Sequence, residues 1–96
     1  MINCKKVSFS GHAVQRMYER AISKSQVLLV IKSGNIIADY PDDSPYPSYL
    51  LNGIANSRHL HLVIAVDNSD SSCYIVTVYI PDPAQWTNNY QSRRKK

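Results

Sequence analysis

Ninety-six residues, 44% of them apolar, fit one domain with a single core, here expected to span residues 1–92, and leave no room for a second. A mean hydropathy of -0.31 is ordinary for a globular chain, and the apolar run Leu62 to Val66, which no other exceeds, is far too short to cross a bilayer, so no membrane partner is expected. The net charge of +4 is uneven: residues 1–34 carry six basic side chains against Glu19, residues 35–92 carry Arg58 against six aspartates, and Arg93-Arg94-Lys95-Lys96 forms a basic tail. A long groove lined throughout by basic groups is therefore excluded, while steering of a polyanion to the first third and the tail is not.

Lys5 to Phe9 alternates loosely and reads as a short strand with Val7 and Phe9 on one face. Ser10 is placed to cap a helix over Gly11 to Ala21, its hydroxyl accepting from an otherwise unpaired N–H of the first turn. Val14, Met17 and Ala21, with Ala13, form the stripe expected to seat this helix. A second helix follows at once, over about Lys24 to Lys32. Ser23-Lys-Ser-Gln26 fits a capping box, Ile22 and Val27 fit the accompanying staple, and Val27, Leu28, Val30 and Ile31 are its expected core residues. Gly34 stands where a left-handed cap would end it.

Beyond Gly34 the period changes to two. Asn35 to Tyr40 reads as a strand, Pro41 to Pro47 as an irregular turn with three prolines, and Ser48 to Leu51 as a further strand ending near Gly53. Arg58 to Val66 and Cys73 to Ile80 are strong strands joined by a polar loop and are expected to form a hairpin. Leu60, Leu62, Ile64 and Val66 point one way. His59, His61, Val63 and Ala65 point the other, expected to be the less buried face near the strand's start. Pro81 and Pro83 end the last strand, and Ala84 to Tyr90 reads as a short helix anchored by Trp86. The expected fold class is α+β: two layers, an N-terminal helical hairpin packed on a mainly antiparallel sheet of three to five strands.

Chemistry-bearing residues concentrate on the first helix. His12, Arg16 and Arg20 recur at i, i+4 and i+8, along one stripe with Glu19 beside them. Arginine offers a planar fork of donors for phosphate, and histidine is the one side chain that titrates near neutral pH unperturbed. An anion site is one reading of the stripe; a solvated basic face with an ordinary surface ion pair to Glu19 is the other. His59 and His61 with no nearby cysteine do not make a metal site, and no cofactor is expected. Cys4 and Cys73 lack CxxC spacing and a close partner, which reads as two thiols in a reducing compartment, and no secretory leader opens the chain, so the expected address is the cytoplasm. Tyr40, Tyr46 and Tyr49, near the proline-rich turn, offer a surface to a protein partner.

The spaced residues His12-Ala13, Arg16-Met17, Glu19-Arg20 and Ile22-Ser23, then Gly34 before an Ile-rich strand, the Pro-Tyr-Pro turn, the Leu-His-Leu-Val strand, and Thr77-Val-Tyr79, Pro81-Asp82 and Trp86 resemble the small bacterial family called domain of unknown function 4258. In size and element order, domains of this type look similar to the RelE/ParE group of toxins from toxin–antitoxin pairs, many of which cut messenger RNA on the ribosome. That similarity implies a RelE/ParE-like fold and metal-independent RNA cleavage, with an antitoxin-like protein as partner. A base takes the 2′-hydroxyl proton, a cation stabilises the crowded phosphate, and an acid protonates the leaving 5′-oxygen. On these residues His12 and His61 are the expected proton-transfer groups, Arg16 and Arg20 the phosphate clamps, and Lys24, Arg58, His59 and Tyr79 substrate contacts. The contrasting reading is a non-enzymatic interaction module.

Overall fold

The computed structural model describes residues 2–87 and 89–93. Its elements run β1 (Lys6–Phe9), α1 (Gly11–Arg20), α2 (Lys24–Ser33), β2 (Asn35–Tyr40), β3 (Ser48–Ala55), β4 (Arg58–Asp67) and β5 (Ser72–Tyr79). The five strands form one sheet in the order β1-β5-β4-β3-β2, antiparallel throughout except for the parallel pair β1 and β5. That pair is parallel because a whole helical segment, both strands β2 and β3, and β4 lie between its members in sequence, whereas each antiparallel neighbour follows by a short turn. Asn56 and Ser57, both at positive φ, make the tight turn between β3 and β4.

Both helix starts obey the local chemistry of their sequences. Ala13 donates its N–H to the Ser10 hydroxyl at 3.0 Å, and the capping box of Ser23 with Gln26 is complete. Gly34 departs from the expected left-handed cap: its φ is -78°, an extended conformation open to any residue. What requires glycine there is space, since a Cβ would lie 2.6 Å from the Val30 carbonyl oxygen and 2.8 Å from that of Asn52. α1 seats chiefly on β5 and α2 on β3. The sheet is thus the principal partner of each helix.

The core lies between the helices and one face of the sheet, with Ala13, Met17, Val27, Val30 and Ile31 meeting Leu51, Leu60, Leu62, Ile64, Ile75 and Val78. The stripes are narrower than the sequence suggested. Val14 and Leu28, expected inside, are 48% and 46% exposed, because Ala13 and Met17 of α1 and Val27, Val30 and Ile31 of α2 suffice to contact the twisted sheet and the flanks stay wet. Two one-residue bulges adjust the sheet, at Ile37 in β2 and at Val76 in β5.

Two features were not expected. Cys4 and Cys73 form a disulfide, correcting the reading as separate thiols: parallel pairing aligns Val7 with Cys73 and Lys6 with Ser72, which brings the chain just before β1 onto the start of β5. The bond ties the N-terminal residues to the core, where Ile2 and Cys4 pack beside the buried cluster. At the other end, the segment expected as a helix over Ala84 to Tyr90, apart from residue 88, which lies outside the described residues, is a single turn followed by a tight reversal. Gln85 and Trp86 both donate to the Asp82 carbonyl, but Thr87 donates to Ser92 instead of continuing the helix. Trp86 and Arg93 then pair as an antiparallel bridge. The remainder of the basic tail lies outside the described residues.

Candidate functional site

His12 stands exposed in the first turn of α1, with its Nε2 3.1 Å from the Thr77 hydroxyl. The bulge at Val76 and the end of β1 at Phe9 leave this part of β5 beside the helix start, and Ser10 adds a hydrogen bond to the Val76 carbonyl at 3.0 Å. One turn on, Arg16 bonds Glu19 at 3.3 Å, with both side chains 43% exposed. A pair that wet holds weakly, on the order of 0.5 kcal/mol, and leaves the guanidinium available to a stronger anion. Arg20 is exposed one turn further along the same flank. Across the helix, Val14 and Tyr18 form an exposed apolar flank, Tyr18 at 79%.

The remaining residues expected at this site have partners of their own. Leu60 and Leu62 face the helices, so His59 and His61 project from the opposite face of the sheet. This is the less buried face at His59, Val63 and Ala65, as expected, but it is roofed at His61 by the C-terminal segment, and His61 is wholly buried. Its Nε2 lies 2.7 Å from the Tyr90 carbonyl oxygen and its Nδ1 3.1 Å from the Tyr79 hydroxyl. A carbonyl only accepts, so Nε2 carries the hydrogen and Nδ1 accepts from Tyr79. Trp86 stands edge-on to the ring at 4.5 Å, and Arg93 lies over Trp86 at 4.8 Å. Burial pushes the His61 pKa below its ordinary value, the neighbouring His59 and Arg93 push the same way, and the Tyr90 carbonyl opposes them. With both ring nitrogens engaged, His61 is a neutral clasp for the C-terminal segment. Tyr79, its partner, is half-buried, and burial raises its pKa.

Arg58 is likewise engaged: its guanidinium donates to the carbonyls of Arg20 at 3.3 Å and Ala21 at 3.0 Å, closing the C-terminal end of α1. Lys24 holds its ammonium 5.5 Å from the centre of the Phe9 ring. The structure therefore aligns His12, Arg16 and Arg20 along one exposed flank, and the Thr77 that His12 contacts pairs with Val63, on the sheet face that carries Tyr79 and His61. Sequence reasoning missed the carboxamides beside His59. Asn52 is buried at the centre of β3, accepts from His59 at 3.2 Å and donates to the Asn89 carbonyl at 3.4 Å. An asparagine inside a strand of leucines, where that residue type is disfavoured, was the available signal. Among the described residues no three His, Cys, Asp or Glu side chains gather as metal ligands, and no helix is long and apolar enough to cross a membrane.

The family model described as Domain of unknown function (DUF4258) matches residues 9–80. The chain belongs to this family. The matched span runs from the end of β1 to just past β5, so the family's extent includes the α1 flank and the histidine strand and stops before the C-terminal segment that clasps His61. No curated protein and no solved structure matches the chain.

Proposed function

We propose that this DUF4258 protein is the toxin of a bacterial toxin–antitoxin pair, acting on RNA through the exposed flank of α1. The observation that supports it is the run of His12, Arg16 and Arg20 along one wet flank of a single helix, offset by Glu19 alone. Arg16 and Arg20 grip successive phosphate oxygens, and the cation nearest the scissile group stabilises its crowded transition state. His12 takes the 2′-hydroxyl proton, or supplies one to the leaving 5′-oxygen, and water performs the transfer that a single imidazole leaves undone. No step requires a metal. An antitoxin segment covers the flank by pairing acidic groups with the two arginines. This role sets the protein in the cytoplasm, where the Cys4–Cys73 bond meets reducing thiols.

Expression in a bacterium with and without a neighbouring reading frame tests the proposal, together with incubation of the purified protein with RNA. Growth arrest relieved by the neighbour, and lost in His12→Ala and Arg16→Ala with circular dichroism unchanged, is the expected result; arrest undiminished in both variants removes the mechanism. A non-enzymatic interaction module is the second reading. It is favoured by the burial of His61, both of whose ring nitrogens are engaged, and by the exposed Val14 and Tyr18 beside the basic flank. Of the three tyrosines near the proline-rich turn, Tyr46 stacks on Tyr74 at 5.5 Å and Tyr49 packs against the core, which leaves Tyr40 as the outward one. Ordinary growth on expression, with capture of the neighbour's product, would choose the module.

A further inference from the structure

Where α2 ends against β3, a groove of about 320 Å³ opens between Asn35, Asn52, His59, Asn89 and Gln91. Its described lining holds four carboxamides and one imidazole, and no Asp, Glu, Lys or Arg. The polarity of each group can be assigned from its partners. Because the Asn89 carbonyl only accepts, the Asn52 amide nitrogen faces it and the Asn52 oxygen faces His59. His59 Nδ1 therefore carries its hydrogen toward Asn52. Its Nε2 is left as a lone-pair acceptor, with no hydrogen-bond partner among the described residues. Asn52 is buried and bonded at both ends, so it fixes the imidazole's tautomer and orientation. Tyr90 holds the ring from one side, centroid to centroid at 4.5 Å.

A groove of this makeup selects a ligand that is uncharged and carries several donors and acceptors on a compact frame. We propose that it holds one unstacked base of single-stranded RNA, with His59 Nε2 accepting an N–H of the base and the Asn35 and Gln91 carboxamides completing its edge. Carboxamides pair with base edges because each presents a donor and an acceptor side by side, and an unpaired base exposes the complementary pair. This rests on the RNA reading above and deepens it: α1 reads the backbone, and a second place on the molecule reads a base. Gly34 and Gly53 form part of the groove wall, where the close approach of Val30 leaves no room for a Cβ at either position.

The test follows the imidazole and side-chain amide signals of the full chain by NMR while adenosine, guanosine, cytidine, uridine, inorganic phosphate and free ribose are added separately. At least one nucleoside is expected to move the His59 signals with those of Asn35 and Gln91, leaving His12 in place, while inorganic phosphate moves His12 and Arg16. Asn35→Ala, at an exposed position, is expected to weaken nucleoside binding about three- to tenfold, the worth of one neutral hydrogen bond. No nucleoside effect at His59, or an equal effect of ribose alone, overturns the base-binding groove. The RNA reading has its own readout: if RNA perturbs His12 and Arg16 but no nucleoside reaches His59, the groove proposal fails and the backbone contact stands. If a nucleoside reaches His59 and RNA leaves α1 untouched, the groove stands without it.

Discussion

Replacing His61 by phenylalanine separates a clasp from a catalytic group. The ring volume and the edge contact with Trp86 are kept, but the Tyr90 carbonyl loses its donor and the Tyr79 hydroxyl its acceptor. The carbonyl belongs to the C-terminal segment and faces the buried ring, and the hydroxyl is half-buried, so the cost is about 2–3 kcal/mol: the larger part for the carbonyl and less for the hydroxyl, which can turn to water. For a domain of this size that corresponds to a fall in Tm of about 10–20 °C. Trp86 is the chain's one tryptophan and touches the substituted ring, so its fluorescence during urea unfolding reports both stability and local detachment. Tyr79→Phe supplies the second arm of a double-mutant cycle, and the pair is expected to cost less than the two single changes added together. An unchanged midpoint in His61→Phe, with Trp86 emission as in the native protein, would refute the clasp.

The same clasp predicts a pH dependence. The folded state holds His61 below its ordinary pKa, so the unfolded chain binds the proton more readily; the stabilisation is present above the ordinary histidine pKa and is lost as pH falls from there toward the depressed folded value. Urea midpoints measured across that acid range are expected to fall more steeply in the native protein than in His61→Phe, and parallel profiles would contradict this. Gly34→Ala is expected to destabilise by about 1–3 kcal/mol, because backbone oxygens of Val30 and Asn52 must both move to admit a Cβ; a neutral melt would show that the α2 end gives way freely. Cys4 and Cys73 are 69 residues apart in sequence, and closing such a loop is worth up to about 4 kcal/mol in the chain-entropy account. Cys73→Ser and treatment with dithiothreitol should lower stability alike, and resistance to both would set the bond aside as a contributor.

Much of the fold was legible because local signals agreed with it. Ser10, the Ser23–Gln26 box and the two strong strands each carried their own evidence, and the structure places all of them as read. The burial of individual side chains was less legible: Val14, Leu28 and His61 have ordinary places in the periodic pattern, and only the sheet's twist and the returning C-terminal segment decide which are covered. The disulfide depended on a parallel pairing between the two sequence-distant strands β1 and β5, which no local pattern encodes. At the site, the α1 flank could be read from helical spacing alone. The roles of Arg58 and His61 could not, since each is fixed by carbonyl groups contributed from elsewhere in the chain.

The proposed function stands or falls with the α1 flank as the contact for a nucleic-acid backbone. Fluorescence anisotropy of a labelled single-stranded RNA, repeated over a series of salt concentrations, tests it directly with the native protein and the double variant Arg16→Ala/Arg20→Ala. Two lost phosphate contacts should weaken binding and reduce the slope of log affinity against log salt by about 1.4, at roughly 0.7 per phosphate on a single strand. Equal affinity and equal slope in the two proteins would contradict a phosphate-binding role for Arg16 and Arg20.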